Sequence, residues 1–155
     1  MANIFGNFKE GDYDPLPVGV YQMQVESAVF DANGGKDKNA PVVSWDLKVT
    51  QADQYENRHI FLNHYLVKAD GKPNDFSFRK TRRDLLQGLL GEDMSVEAFP
   101  DDASLITRLQ KVTGMLCQVQ ISYDKNRQDP AKPWINVKVI ESDPNAKVAE
   151  DDIPF

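Results

Sequence analysis

The sequence predicts a mainly β domain with a helical stretch inserted after its third strand, and three observations carry that prediction. Apolar and polar residues alternate in five separate segments, the pattern of strands with one wet face. Between the third and fourth segments the spacing becomes helical, with Phe78, Leu85, Leu86, Leu89 and Leu90 recurring along one side. With 155 residues, 41% of them hydrophobic, the chain can bury one core and is short for two full domains.

In chain order, residues 1–17 mix Phe5, Phe8 and Tyr13 with glycine, asparagine and prolines, which predicts an irregular arm pinned by its aromatics. Val18 to Phe30 is the first strand, with Tyr21, Met23, Val25 and Val29 in phase. The polar loop Asp31 to Asn39 joins it to a second strand in which Val43, Trp45, Leu47 and Val49 alternate with polar residues, so the two form a long hairpin with Trp45 in the core. Asn57 to Lys68 is apolar on both faces, with Ile60, Leu62 and Leu66 on one and Phe61, Tyr65 and Val67 on the other. Turn residues at Asp70 to Asn74 lead to a helix that Asn74 or Asp75 can cap and Gly91 can end. A helical connector over Glu92 to Gly114 carries Leu105, Ile106, Leu109 and Val112, and strands resume at Met115 to Tyr123 and Trp134 to Ile140.

Three strands, a helix and two strands is the order of a five-stranded OB-fold barrel with a helical insertion between strands 3 and 4. An open meander with a helix on one face gives the same local signals. Residues 1–140 form the domain in this reading, and residues 141–155 a flexible acidic tail.

The net charge of −6 is unevenly placed. Glu141, Asp143, Glu150, Asp151 and Asp152 against Lys147 put −4 in residues 141–155 and leave −2 for the rest, so the overall acidity does not exclude an anionic partner. The lone Cys117 falls in an alternating apolar pattern and reads as a core thiol. With no apolar run of membrane-spanning length and no signal-peptide pattern, a cytoplasmic protein is expected.

The segments Asn3-Ile4-Phe5-Gly6-Asn7-Phe8, Leu16-Pro17-Val18-Gly19-Val20-Tyr21 and Val25-Glu26-Ser27-Ala28 resemble a family of small phage single-stranded DNA-binding proteins. The ending Asp151-Asp152-Ile153-Pro154-Phe155 is similar to the acidic C-terminal peptide of bacterial single-stranded DNA-binding proteins. Together the resemblances imply an OB-fold protein of the phage-infected bacterial cytoplasm. It would coat single strands during replication, recombination or repair and recruit host or phage enzymes through its tail. The core sequence of the bacterial proteins has no counterpart here, so their tetrameric assembly is not implied.

Single-strand binding needs cations along a groove and flat rings on which bases stack. Candidate cations are Lys36 and Lys38 in the first loop, Lys48 and Arg58 at the second and third strands, and Lys125, Arg127 and Lys132 in the last loop; candidate rings are Phe61, Tyr65 and Trp134. Each ring has a rival place in the core. Arg79, Lys80, Arg82 and Arg83 form the densest basic cluster and read as a solvated helix face, with a resting site for the protein's own tail or a second DNA contact as the alternatives. In the tail, Ile153, Pro154 and Phe155 suit an apolar pocket with a basic rim, while Asp151 and Asp152 steer toward positive surfaces.

No cofactor, metal site or enzyme is expected. His59 and His64 are five apart on one strand and face opposite ways. Asp46-Leu47-Lys48 is similar to the acid-x-lysine element of metal-dependent nucleases but has no convincing second carboxylate. A protein-interaction module without DNA binding is the other alternative.

Overall fold

The computed structural model describes residues 15–34, 40–128, 131 and 133–147, with 143–147 in backbone only. The alternating segments form five antiparallel strands: β1 (Gly19–Asp31), β2 (Val42–Val49), β3 (His59–Tyr65), β4 (Met115–Asp124) and β5 (Trp134–Lys147). They pair in the order β3-β2-β1-β4-β5, which leaves β3 and β5 as the edges of an open sheet.

The central strand serves both halves of that sheet. Gly19 to Gln24 pairs with β4, and Met23 to Asp31 with β2. Val25 lies opposite Leu47 but Ser27 opposite Asp46, so Glu26 is an extra residue. Such a bulge bends the strand and shifts its side chains by one position. Tyr21, Met23 and Val25 are therefore buried before it and Ala28 after it. Val29, expected in phase with the first three, is 55% exposed.

Asn74 caps the inserted helix by accepting from the Ser77 N–H at 3.2 Å. The chain then runs through α1 (Asp75–Arg79), a π-helical segment (Lys80–Leu86) and α2 (Gln87–Leu90). It stops at Gly91, whose φ of 70° is the left-handed conformation that glycine adopts without strain. Buried positions come in adjacent pairs, Thr81 with Arg82 and Leu85 with Leu86, and then Leu89. Arg82 corrects the expectation of a fully solvated basic face, since only 5% of it is exposed. Its guanidinium lies 4.8 Å over the Phe78 ring and donates to the Met94 carbonyl at 3.0 Å, so the long stem packs as an apolar chain.

α2 lies against β5. A Cβ on Gly88 would stand 2.5 Å from the Val139 carbonyl oxygen, so only glycine fits this approach. The Ser142 hydroxyl is 2.8 and 2.9 Å from the Gly88 and Leu89 carbonyl oxygens, which the ending helix leaves without intrahelical partners. β5 accordingly continues to Lys147, past the Ile140 boundary expected from periodicity. Residues 141–147 thus belong to a strand rather than to the tail. Polar residues and Pro144 hid this, and an edge strand tolerates both.

After a 3-10 turn (Val96–Ala98), α3 (Asp102–Val112) begins with Asp101 accepting from the Ser104 N–H at 2.9 Å, and it packs on β1 through buried Leu105, Leu109 and Val112. Trp45, Met23, Leu47, Leu85, Met115 and Ile121 are fully buried between sheet and helices. Cys117 joins them, and burial pushes its thiol up to about 12, as suits an inert core residue. Among the described residues no helix is long and apolar enough to cross a membrane. Of the N-terminal arm, Leu16 is buried, and its carbonyl accepts from the Tyr123 hydroxyl; residues 1–14 lie outside the described residues.

Candidate nucleic-acid interface

The two-residue period of β3 sorts its side chains. Ile60, Leu62 and His64 point inward and are buried, while His59, Phe61, Asn63 and Tyr65 point outward and are exposed. Phe61 is 70% exposed and lies parallel to the His59 ring, with centroids 5.6 Å apart and planes 7° apart. The strand that is apolar on both faces therefore gives one face to the core and displays aromatic rings on the other.

Because the sheet is open, β3 faces the beginning of β5 across a groove. It consists of two hollows, of about 600 and about 630 Å³, which share Phe61 and Ile135. Arg58, His59, Leu16 and Tyr123 line the first. Tyr65, Phe76, Trp134, Leu62 and His64 line the second, together with Lys80 and Asn136. Trp134 is 56% exposed, so it does not serve as a core residue. Phe76 is as exposed as Phe61, and the Lys80 ammonium lies 4.8 Å from its ring centroid.

Cations stand toward both ends. Arg58 lines the first hollow, and a depression holding Lys125 and Arg127 adjoins it through Tyr123 and Pro133. Lys80 lines the second hollow. The acid in this region, Asp124, accepts from the Asn136 amide at 2.8 Å. Lys48 stands apart from the groove on the outer face of β2, with its ammonium 2.8 Å from the bulged Glu26. Asp46 on the same face lies 2.6 Å from His59 Nδ1. The two charges of the nuclease-like element are thus drawn to different partners.

The structure brings together Arg58, Phe61, Tyr65, Lys125, Arg127 and Trp134 of the residues expected to bind DNA. Lys36, Lys38 and Lys132 lie outside the described residues, as do Asp151, Asp152, Ile153, Pro154 and Phe155 of the tail. Sequence reasoning missed Phe76 and His64 as groove residues, and it set Lys80 on the basic helix face, with a second DNA contact only as an alternative. Phe76 could have been found, because it lies off the leucine stripe and one helical turn before Lys80.

His64 is 7% exposed and belongs to a buried chain of polar groups. Its Nδ1 is 2.6 Å from the Thr81 hydroxyl, which accepts from the Trp45 indole N–H at 3.3 Å. Burial, reinforced by the nearby Lys80 charge, lowers its pKa to about 4. The ring is therefore neutral at physiological pH.

No protein-family model matches the chain, and neither does any curated protein or solved structure.

Proposed function

We propose that this protein binds single-stranded DNA in the groove between β3 and β5 without acting on it chemically. One observation carries the reading: four exposed aromatic rings, Phe61, Tyr65, Phe76 and Trp134, line one groove that has cations toward both ends. Rings of that size are normally buried, and contiguous exposure marks a surface that contacts something. Bases stack on such rings whatever their identity, and Arg58, Lys80, Lys125 and Arg127 are positioned for phosphates. Duplex DNA keeps its bases stacked on one another, so the rings favour single strands.

The strand order supports an OB reading of the fold, because it is that of an OB barrel left open between β3 and β5. OB proteins bind oligonucleotides on the face of their second and third strands and with the adjoining loops. In this function Lys36, Lys38 and Lys132 add positive charge from the loops. Asp151 to Phe155 act separately, as a peptide that recruits replication or repair proteins.

Titrating a labelled oligonucleotide with the protein, with and without magnesium, tests the proposal. Saturable binding without cleavage is expected, weakening with salt at a log-log slope of roughly −0.7 per phosphate neutralised. Indifference to the oligonucleotide would leave a protein-interaction module, and magnesium-dependent cleavage a nuclease.

A further inference from the structure

The chain from Trp45 through Thr81 to His64 fixes where the histidine proton sits. Thr81 is fully buried, and among the described residues its hydroxyl contacts only the Trp45 indole and His64 Nδ1. The indole can only donate, so the hydroxyl accepts from it and has one proton left to place. That proton has an acceptor only if Nδ1 is unprotonated. The neutral ring then carries its hydrogen on Nε2, for which there is no hydrogen-bond partner among the described residues. His64 is more than nine-tenths buried and is one of the residues that line the aromatic hollow of the groove, which places an unpartnered donor beside that hollow.

We infer that His64 is a specificity-determining residue: its Nε2–H, with the Lys80 ammonium beside the same hollow, reads the edge of one base inserted between Tyr65, Phe76 and Trp134. This rests on the single-strand-binding reading above and adds a preference to it. Two donors match an edge with two adjacent acceptors, such as O2 and N3 of cytosine or O6 and N7 of guanine, whereas thymine sets its N3–H between its two carbonyl oxygens. On adenine the exocyclic amino group stands beside N1 and N7 and meets those donors with a donor of its own. The groove therefore favours cytosine and guanine over adenine and thymine, while the rings bind every base.

The test compares oligo(dT), oligo(dC) and oligo(dA) of equal length on wild type, His64→Asn and Phe61→Ala. Asparagine keeps an oxygen for the Thr81 hydroxyl, but its amide is too short to reach the groove as Nε2 does. Wild type is expected to favour dC over dT and dA by about fivefold or more. Because dA strands also resist unstacking, the ratio between proteins decides: His64→Asn should lower the dC/dT and dC/dA ratios by about fivefold, and Phe61→Ala should weaken all three alike. A second measurement needs no variant. The imidazole nitrogen resonances of wild type should report the Nε2–H tautomer, with Nε2 shifting when oligo(dC) is added. Unchanged ratios in His64→Asn, an Nδ1–H tautomer, or an Nε2 resonance indifferent to oligo(dC) that binds would overturn the inference alone. Failure of wild type to bind any oligonucleotide would overturn the proposed function and the inference with it.

Discussion

Acidification should destabilise this protein well above the pH at which carboxylates titrate, and His64 is the reason. Its pKa falls from 6.5 in water to about 4 in the fold, first because burial penalises the imidazolium and then because Lys80 repels it. The unfolded chain restores the ordinary value, so between the two the unfolded state binds the additional proton. The contribution to stability is complete above the unfolded value and is lost as pH falls toward the folded one. Linkage puts the loss at about 2 kcal/mol between about pH 7 and pH 5, and at about 3 kcal/mol by about pH 4. Urea unfolding followed by circular dichroism, at steps across that range, measures it. His64→Asn should start less stable at neutral pH, because it repacks a buried site. Its stability should nevertheless fall less steeply, so that the gap to wild type narrows by about 2 kcal/mol at about pH 5. If the two proteins lose stability in parallel over that interval, the histidine is not buried in its neutral form and the reasoning fails.

Replacing Phe61 by Ala should weaken oligonucleotide binding by about 1–3 kcal/mol while leaving the melting temperature in place, since the ring is 70% exposed. A collapse of thermal stability without loss of affinity would assign that ring to the core. Lys48→Ala should alter affinity less than Lys80→Ala, because the Lys48 charge is already compensated by Glu26 at 2.8 Å; the reverse order in a salt titration would move the binding surface to the outer face of β2. Gly88→Ala should destabilise by about 1–3 kcal/mol, because the new methyl meets the Val139 backbone at 2.5 Å, and thermal melting reads the change. Deleting Glu150 to Phe155 should leave folding intact and DNA affinity equal or higher, and should abolish capture of replication or repair proteins from a bacterial extract. Phe155→Ala should lose the same captured proteins without changing DNA affinity, and their retention by all three forms would make the tail a solubilising end only.

The five strands, the helix between the third and fourth, and the helix limits at Asn74 and Gly91 were legible in the sequence because each is set locally. A period of two or of 3.6 appears wherever one side of an element is buried, and capping is decided by a few adjacent residues. Burial of Trp45 and Cys117 followed from the same phase, as did the opposite faces of His59 and His64. The sequence could not show that Glu26 is bulged, because a bulge is counted against the partner strand; Val29 was misplaced for that reason. Arg82 and residues 141–147 were misread because their places depend on distant groups, the Met94 carbonyl and the end of α2. Sequence also left Phe61 and Tyr65 between core and surface, since on a strand apolar on both faces nothing local says which face is covered, and it left Trp134, beside Pro133, as a ring that could equally close the barrel. Only tertiary structure decided that. By leaving the sheet open between β3 and β5 it set these rings, Phe76 and Lys80 around one groove, and by placing Thr81 between Trp45 and His64 it made an isolated histidine part of a buried hydrogen-bonded chain. Residues far apart in the chain can be brought to one site only by the packing of the elements that carry them.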